Sequence, residues 1–500
     1  MGGVIRLIVL ALLVVGCQPV DSNRNTLHVG LAQTPITVDS RFATDAASVR
    51  IQDFLHRGLV KLDESFNVEG DLAESWVHPT PLLWKFRLRQ GETFSDGSEV
   101  KARDVAATLQ AVIDPALASP RMAEYSAIER IEVEDDYNLT IYLSRADASL
   151  LTRLNLGILP ATIASGPHNA RHTIGCGAYR LTAWGESGIT LQRRGEGGSV
   201  TAIRFSCVKD PVTRVLKLTR GELDFVQNDL PPHLLPYIGE QRQLTMLTRP
   251  STTFSYIGIN LQDGLLGDVR VRRALALALD RDKLKNALFS GLPDLANSVL
   301  SREHWASASL PPIPFDPVRA EQLLDEAGFP RNQDGVRFSL NYRTSTDPTR
   351  LRLATAIAAM WQKVGINVSI ESLEWGGFYA RIKRGDFQLF SLSWVGITDP
   401  DIYRSILHSQ MWPPKGANRG RYRNDDVDRW LDQAAVVEAQ KERKALYAKV
   451  QKQMLEDMVY IPLWYEPVIA VSGPRVHGFK PMPDGNLRAL MDIKFIQENR

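Results

Sequence analysis

The chain predicts a mixed α/β protein built from several domains. Strand-like and helix-like hydrophobic patterns alternate along its length. Its 500 residues exceed what one typical core organises, so two or three domains are expected. No repeat with a period of roughly 20–50 residues recurs, which argues against a solenoid.

The elements follow in order. Leu27 to Leu31 alternates weakly and reads as a first strand. Trp84, Phe86 and Leu88 alternate with Lys85 and Arg87, the pattern of a half-buried strand. The glycines and Asp96 of Gly91-Glu92-Thr93-Phe94-Ser95-Asp96-Gly97 suit a tight turn. Ala102 to Val112 then reads as a helix closed by Asp114-Pro115, and 131–143 as a hairpin around Asp135-Asp136-Tyr137-Asn138. Two strands are expected within 175–191, another from Thr201 to Cys207, and a helix from Pro211 to Arg220. The second half is more helical. Val271, Ala274, Leu275 and Ala278 recur at helical spacing, and Leu353, Ile357, Met360 and Val364 form a cleaner stripe stopped by Gly365. A strand begins near Val368, a long helix carries Leu446, Val450 and Met454, and four prolines between Pro311 and Pro317 make a stiff connector.

Composition narrows the function classes. The chain has 59 basic and 57 acidic residues, and no basic block suggests nucleic acid. The apolar run Leu7 to Val15 is shorter than the roughly 20 residues a membrane span needs. It has the core of a secretory signal, and Gly16 before Cys17 resembles the bacterial lipobox. That resemblance implies cleavage before Cys17, acylation of its thiol with palmitate-type chains, and an extracytoplasmic protein anchored to the inner or outer membrane. Residues 18–25 read as a polar spacer. Cys176 and Cys207 then remain: an oxidising compartment permits a disulfide between them, and two separate thiols are the alternative. No GxSxG, HExxH or phosphate-loop pattern appears, so an enzyme is not expected. No cofactor and no protein-bound metal site is read from the sequence.

An ordered set of motifs carries a resemblance. Leu59-Val60 precedes Asp71-Leu72-Ala73-Glu74-Ser75-Trp76, followed by Phe86-Arg87-Leu88-Arg89-Gln90-Gly91 and Ala102-Arg103-Asp104-Val105. Gly175-Cys176-Gly177-Ala178-Tyr179, the run Asp268 to Leu275, Ala278-Leu279-Asp280-Arg281, Trp394 to Pro400 and Ile461-Pro462-Leu463-Trp464 follow. In this order they resemble the solute-binding proteins of ABC importers, in the oligopeptide/dipeptide/nickel-binding family. The resemblance implies a two-lobed periplasmic-binding-protein clamshell of type II with an additional inserted N-terminal domain. It implies domain I as 26–49, 171–257 and 477–500, domain II as 50–170, and domain III as 258–476. Its implied partners are a small solute, with a peptide or peptide-like compound as default, and an ABC permease with its ATPase. A monomer is expected. A nickel-chelate receptor and a sensory or envelope protein without transport are the alternatives.

The resemblance also nominates ligand contacts. In peptide-binding relatives an Asp three residues after the tryptophan of Trp394-Val395-Gly396-Ile397-Thr398-Asp399-Pro400 pairs with the peptide ammonium; here that place is Ile397. The interval is one residue shorter than in those relatives, which is more like the nickel-chelate branch. Ile397 beside Trp394 and Trp375 suits an apolar or planar part of a solute, with core packing as the alternative for both tryptophans. Asp399 either reaches the cleft through a changed loop or caps a turn. Cys176, Gly177 and Tyr179 are expected on a cleft-facing loop, and Thr34 at the first strand-to-loop transition. Arg404 suits a carboxylate and His408 a metal chelate, each with a solvated surface as the alternative. Asn260 is expected to brace the crossing backbone.

Overall fold

Two long strands organise the molecule. In the computed structural model, which describes residues 25–186 and 188–495, Thr245–Ile259 and Tyr460–Ser472 run antiparallel at the centre of an eleven-stranded sheet. The order from one edge is Ile366–Leu373, Phe338–Ser345, Leu389–Trp394, Thr245–Ile259, Tyr460–Ser472, Phe225–Gln227, Thr26–Leu31, Ala202–Cys207, Gly188–Arg193 and Tyr179–Gly185, with Asp294–Leu295 added beside Tyr460–Ser472. Each long strand serves both halves of this sheet. Met246 and Leu247 pair with Val471 and Ala470, whereas Tyr256 and Ile257 pair with Pro462 and Ile461 on one side and Leu392 and Ser391 on the other. Between Pro250 and Phe254 the register breaks. Such an irregularity bends and twists a strand pair, so the two half-sheets diverge here.

Burial follows the alternation of the strands. Ile257 and Ile259 enter one core with Leu340, Trp361 and Trp464, while Phe254 and Tyr256 enter another with Phe390, Tyr403 and Tyr465. Leu27, Val29, Ile203 and Phe205 form a third core with Ile51 and Phe54 of the helix Ala46–Leu55. A separate four-stranded antiparallel sheet, in the order Ala73–Thr80, Leu83–Leu88, Asn138–Leu143, Ile128–Val133, packs Phe86 and Ile141 against Val105 and Leu109 of the helix Ala102–Ile113. The expected strand at 84–88 and helix at 102–112 are both present.

The helix Pro348–Lys363 shows why its stripe works. Asp347 caps it by accepting from the amides of Thr349 and Arg350, Pro348 holds the first turn, and Gly365 follows the stop at φ +85°. Leu353, Ile357 and Trp361 are buried, whereas Met360 is only half-buried. Asn260, as expected, braces the end of the crossing strand by donating Nδ2 to the carbonyl of Phe387 at 3.0 Å. The signal segment, Cys17 and most of the 18–25 spacer lie outside the described residues, as do 496–500.

Candidate functional site

The register break opens onto a cavity of about 1340 Å³. That exceeds the roughly 300–1,000 Å³ typical of small-ligand sites. Ser251, Thr253, Glu466 and Pro467 of the long strands form its floor. Phe338–Ser345, Ile366–Leu373 and Leu389–Trp394 are the parallel strands of one half-sheet, as Thr26–Leu31, Ala202–Cys207 and Phe225–Gln227 are of the other. The segments after Phe338–Ser345 and Leu389–Trp394 bring Asp347, Arg350, Val395, Gly396 and Thr398 to the lining, the carboxyl-end placement common to open α/β sheets. The helix Ala46–Leu55 brings Arg50, Gln52 and Asp53, and the C-terminal segment brings Asp484 and Arg488.

The lining is charged and organised. Arg350 Nη2 donates to Ser393 Oγ at 2.8 Å and to Glu466 Oε1 at 3.3 Å, and that same oxygen accepts from Ser255 and Ser393. Arg50 lies 3.7 Å from Asp229, and Arg121 lies 2.8 Å from Glu124. Arg488 stands between two carboxylates, 3.6 Å from Asp53 and 3.9 Å from Asp484. Burial pushes the Asp53 carboxyl up to about 6; Arg488 opposes the shift, and the like charges of Asp484 and Asp71 add to it. Beside it, the amide nitrogen and oxygen of Gln52 are both buried without a hydrogen-bond partner. Among the described residues no group of His, Cys, Asp and Glu has a metal-holding arrangement.

The structure places the nominated contacts elsewhere. None of the ten lines this cavity. Ile397 is 6% exposed and packs in the core with Tyr403 and Phe390, so it offers no apolar surface to a solute. Gly396 turns the chain at φ +68°, leaving Val395 exposed and Ile397 inward, and the neighbours Val395, Gly396 and Thr398 reach the cavity instead. Asp399 accepts from Ser149 Oγ at 2.8 Å and Thr152 Oγ1 at 2.6 Å, which turns its carboxylate away from the cavity. Trp394 stacks with Tyr256 and has the Arg419 guanidinium 4.3 Å from its ring. Trp375 is exposed and stacks on Tyr379. Arg404 pairs with Asp432, and His408 is buried near Asp428 and Asp432. Thr34 is exposed outside the lining.

The glycine-rich loop is structural too. Tyr179 is fully buried, donating its hydroxyl to the carbonyl of Val200 at 3.0 Å. Cys176 Sγ faces the carbonyl of Arg57 and Cys207 Sγ that of Ala32, so the bridge considered between them is absent and both thiols are free. Burial pushes the Cys176 thiol up to about 11, leaving it a neutral core group. Gly177 is needed for close packing, not ligand contact: a Cβ there would sit 2.3 Å from the carbonyl oxygen of Phe54. Gly177→Ala is therefore expected to lower stability by about 2 kcal/mol or more, readable as a lower denaturant midpoint.

The arrangement is a large, charged cavity at the crossing of two half-sheets. The model for bacterial extracellular solute-binding proteins, family 5 (middle), matches residues 67–411. The chain belongs to this family. Family 5 proteins are extracytoplasmic solute receptors of ABC importers rather than enzymes. The chain is 26% identical over 491 residues to the oligopeptide-binding protein AppA of Bacillus subtilis, covering 92% of this chain and 90% of that protein. It is 28% identical over 467 residues to the glutathione-binding protein GsiB of Escherichia coli O1:K1, covering 90% of each. The solved structure of HbpA2 from Haemophilus parasuis superposes with a TM-score of 0.84 at 24% identity, covering 95% of this chain and all (100%) of the other. The fold is thus that of the periplasmic binding proteins. Among the described residues no helix is long and apolar enough to cross a membrane.

Of the cavity residues, sequence reasoning missed Arg350, Asp53, Gln52, Asp484 and Arg488. Asp347-Pro348 was the available signal for the first: it marks a helix start directly after a strand, where open sheets collect ligands. The others carry no motif.

Proposed function

We propose that this family 5 protein is a lipid-anchored receptor that captures a peptide or peptide-like solute in the 1340 Å³ cavity and delivers it to an ABC permease and its ATPase. The single observation that carries the reading is this cavity, lined from both half-sheets at the break in the long strands. Its volume suits a short peptide rather than a bare ion, and closing around such a ligand would strengthen each polar contact by removing water. The names of AppA and GsiB, an oligopeptide and a glutathione binder, support the solute class. The division into domain I (26–49, 171–257, 477–500), domain II (50–170) and domain III (258–476) is proposed with it, in keeping with the separate buried clusters. The protein acts as a monomer tethered at Cys17.

Native mass spectrometry of protein purified without unfolding is expected to show a retained compound, identifiable as a peptide or a peptide derivative. Calorimetry with that compound should give saturable binding, and deletion of the gene should reduce its uptake. No binding by folded protein across di- to pentapeptides, together with unchanged uptake, would sink the reading. Cys17→Ala should release the protein from the membrane fraction; unchanged membrane retention would argue against the lipid tether.

A further inference from the structure

The charges around the cavity do not balance evenly. Six carboxylates and four guanidiniums line it. Arg50, Arg121 and Arg350 each pair with one carboxylate, and the Asp347 carboxylate is occupied by the helix amides it caps. Only Asp53 and Asp484 share a single cation, Arg488. Asp484 also accepts from the amide and the side chain of Asn486. Asp53, by contrast, has Arg488 at 3.6 Å, beyond ordinary hydrogen-bond length. The segment 394–399 adds no carboxylate to the lining, because Asp399 is held by Ser149 and Thr152.

A second observation falls at the same place. Gln52, adjacent to Asp53 on the helix Ala46–Leu55, lines the cavity, yet its amide nitrogen and oxygen are buried and unpaired. A buried amide without partners is costly unless something completes it. A charged N–H donor supplies positive charge and a hydrogen to Asp53 and a hydrogen to the Gln52 oxygen, while the Gln52 nitrogen, itself a donor, calls for an acceptor such as a carbonyl of the same solute. A neutral or anionic group would leave the carboxylate excess in place.

We propose that Asp53, with Gln52 and Asp484, forms the subsite for a cationic group of the solute, so that the receptor selects compounds bearing an ammonium group. The inference rests on the receptor reading above and names the solute's charge and its anchor. The raised carboxyl of Asp53 agrees with it, since a ligand cation relieves the same burial and like-charge strain.

The test is a two-by-two titration by calorimetry at pH 7.5 (an assay setting, about neutral). Wild type and Asp53→Asn are each titrated with alanine di-, tri- and tetrapeptides, as free amines and as N-acetylated forms. In the wild type, acetylation is expected to weaken binding at least about tenfold, the weight of one charge-assisted contact. Asp53→Asn should weaken the free amines by a similar factor and leave the acetylated forms unchanged. Equal loss for both forms, or wild-type binding insensitive to acetylation, would overturn the subsite while leaving the receptor reading intact. Binding of no peptide by folded wild type would overturn both. Thermal melts of the unliganded variant establish that it folds, and Asp484→Asn is the second variant: it should weaken the free amines less than Asp53→Asn does. Equal or greater weakening would overturn Asp53 as the anchor.

Discussion

Trp361→Ala is expected to destabilise the protein by about 4–5 kcal/mol, the upper range for truncating a large aromatic in a core. Trp361 is fully buried on the helix Pro348–Lys363, among Tyr342, Leu340 and Ile366. Its indole Nε1 donates to the carbonyl of Leu275 at 2.8 Å. Leu275 lies in the last turn of the helix Val269–Leu277, where carbonyls have no partner within the helix. The substitution therefore opens a void and leaves a buried acceptor unsatisfied, and neither loss can be repaired by nearby water. Trp361→Phe separates the two effects. It refills most of the void but cannot donate, so about 1–3 kcal/mol should remain. Denaturant titration measures both. A Trp361→Ala loss below that of Trp361→Phe would contradict this account.

The same helix shows what the sequence made legible and what it did not. Leu353, Ile357 and Val364 at helical spacing, stopped by Gly365, define its buried face without any structure, because period and stop signals are local. Met360 and Trp361 are adjacent, and which of them points inward depends on where the helix meets the sheet. The family was legible because its motifs occur in order along the chain. The cavity was not. Arg350 and Asp53 lie on helices packed against different half-sheets and line one cavity only because Thr245–Ile259 and Tyr460–Ser472 join those half-sheets. In the Trp394–Asp399 segment it is Val395, Gly396 and Thr398 that line the cavity, not Trp394, Ile397 or Asp399. The positive φ at Gly396 breaks the alternation that would have carried Ile397 to the surface.

Asp399→Ala should cost about 2–4 kcal/mol at pH 5, for reasons unrelated to ligand contact. Its carboxylate accepts from Ser149 Oγ, Thr152 Oγ1 and the amide of Asp401 at 2.7 Å, joining 149–152 to the loop that supplies Val395, Gly396 and Thr398 to the cavity. Arg443 extends the network by donating to Ser149 Oγ at 2.9 Å. Losing the acceptor frees this loop, so solute affinity should fall although no direct contact is removed. Asp399→Asn should cost less, since the hydroxyls can rotate to suit an amide. The penalty should also depend on pH. Burial pushes the Asp401 carboxyl up to about 7, Asp399 and Asp147 add to the shift, and Arg404 and Arg153 oppose it. An acid raised in the folded state stabilises below its unfolded value near 4 and loses that contribution as pH rises through about 7. Removing Asp399 lowers the Asp401 value, which relieves the folded state at pH 8 but hardly at pH 5. His304, pushed down to about 4 chiefly by burial, is already mostly neutral at pH 5 and changes this little. The Asp399→Ala penalty is thus expected to be about 1 kcal/mol smaller at pH 8 than at pH 5. Equal penalties at the two pH values would disprove the coupling of Asp399 to Asp401, and a negligible penalty at both would remove Asp399 from the joint altogether.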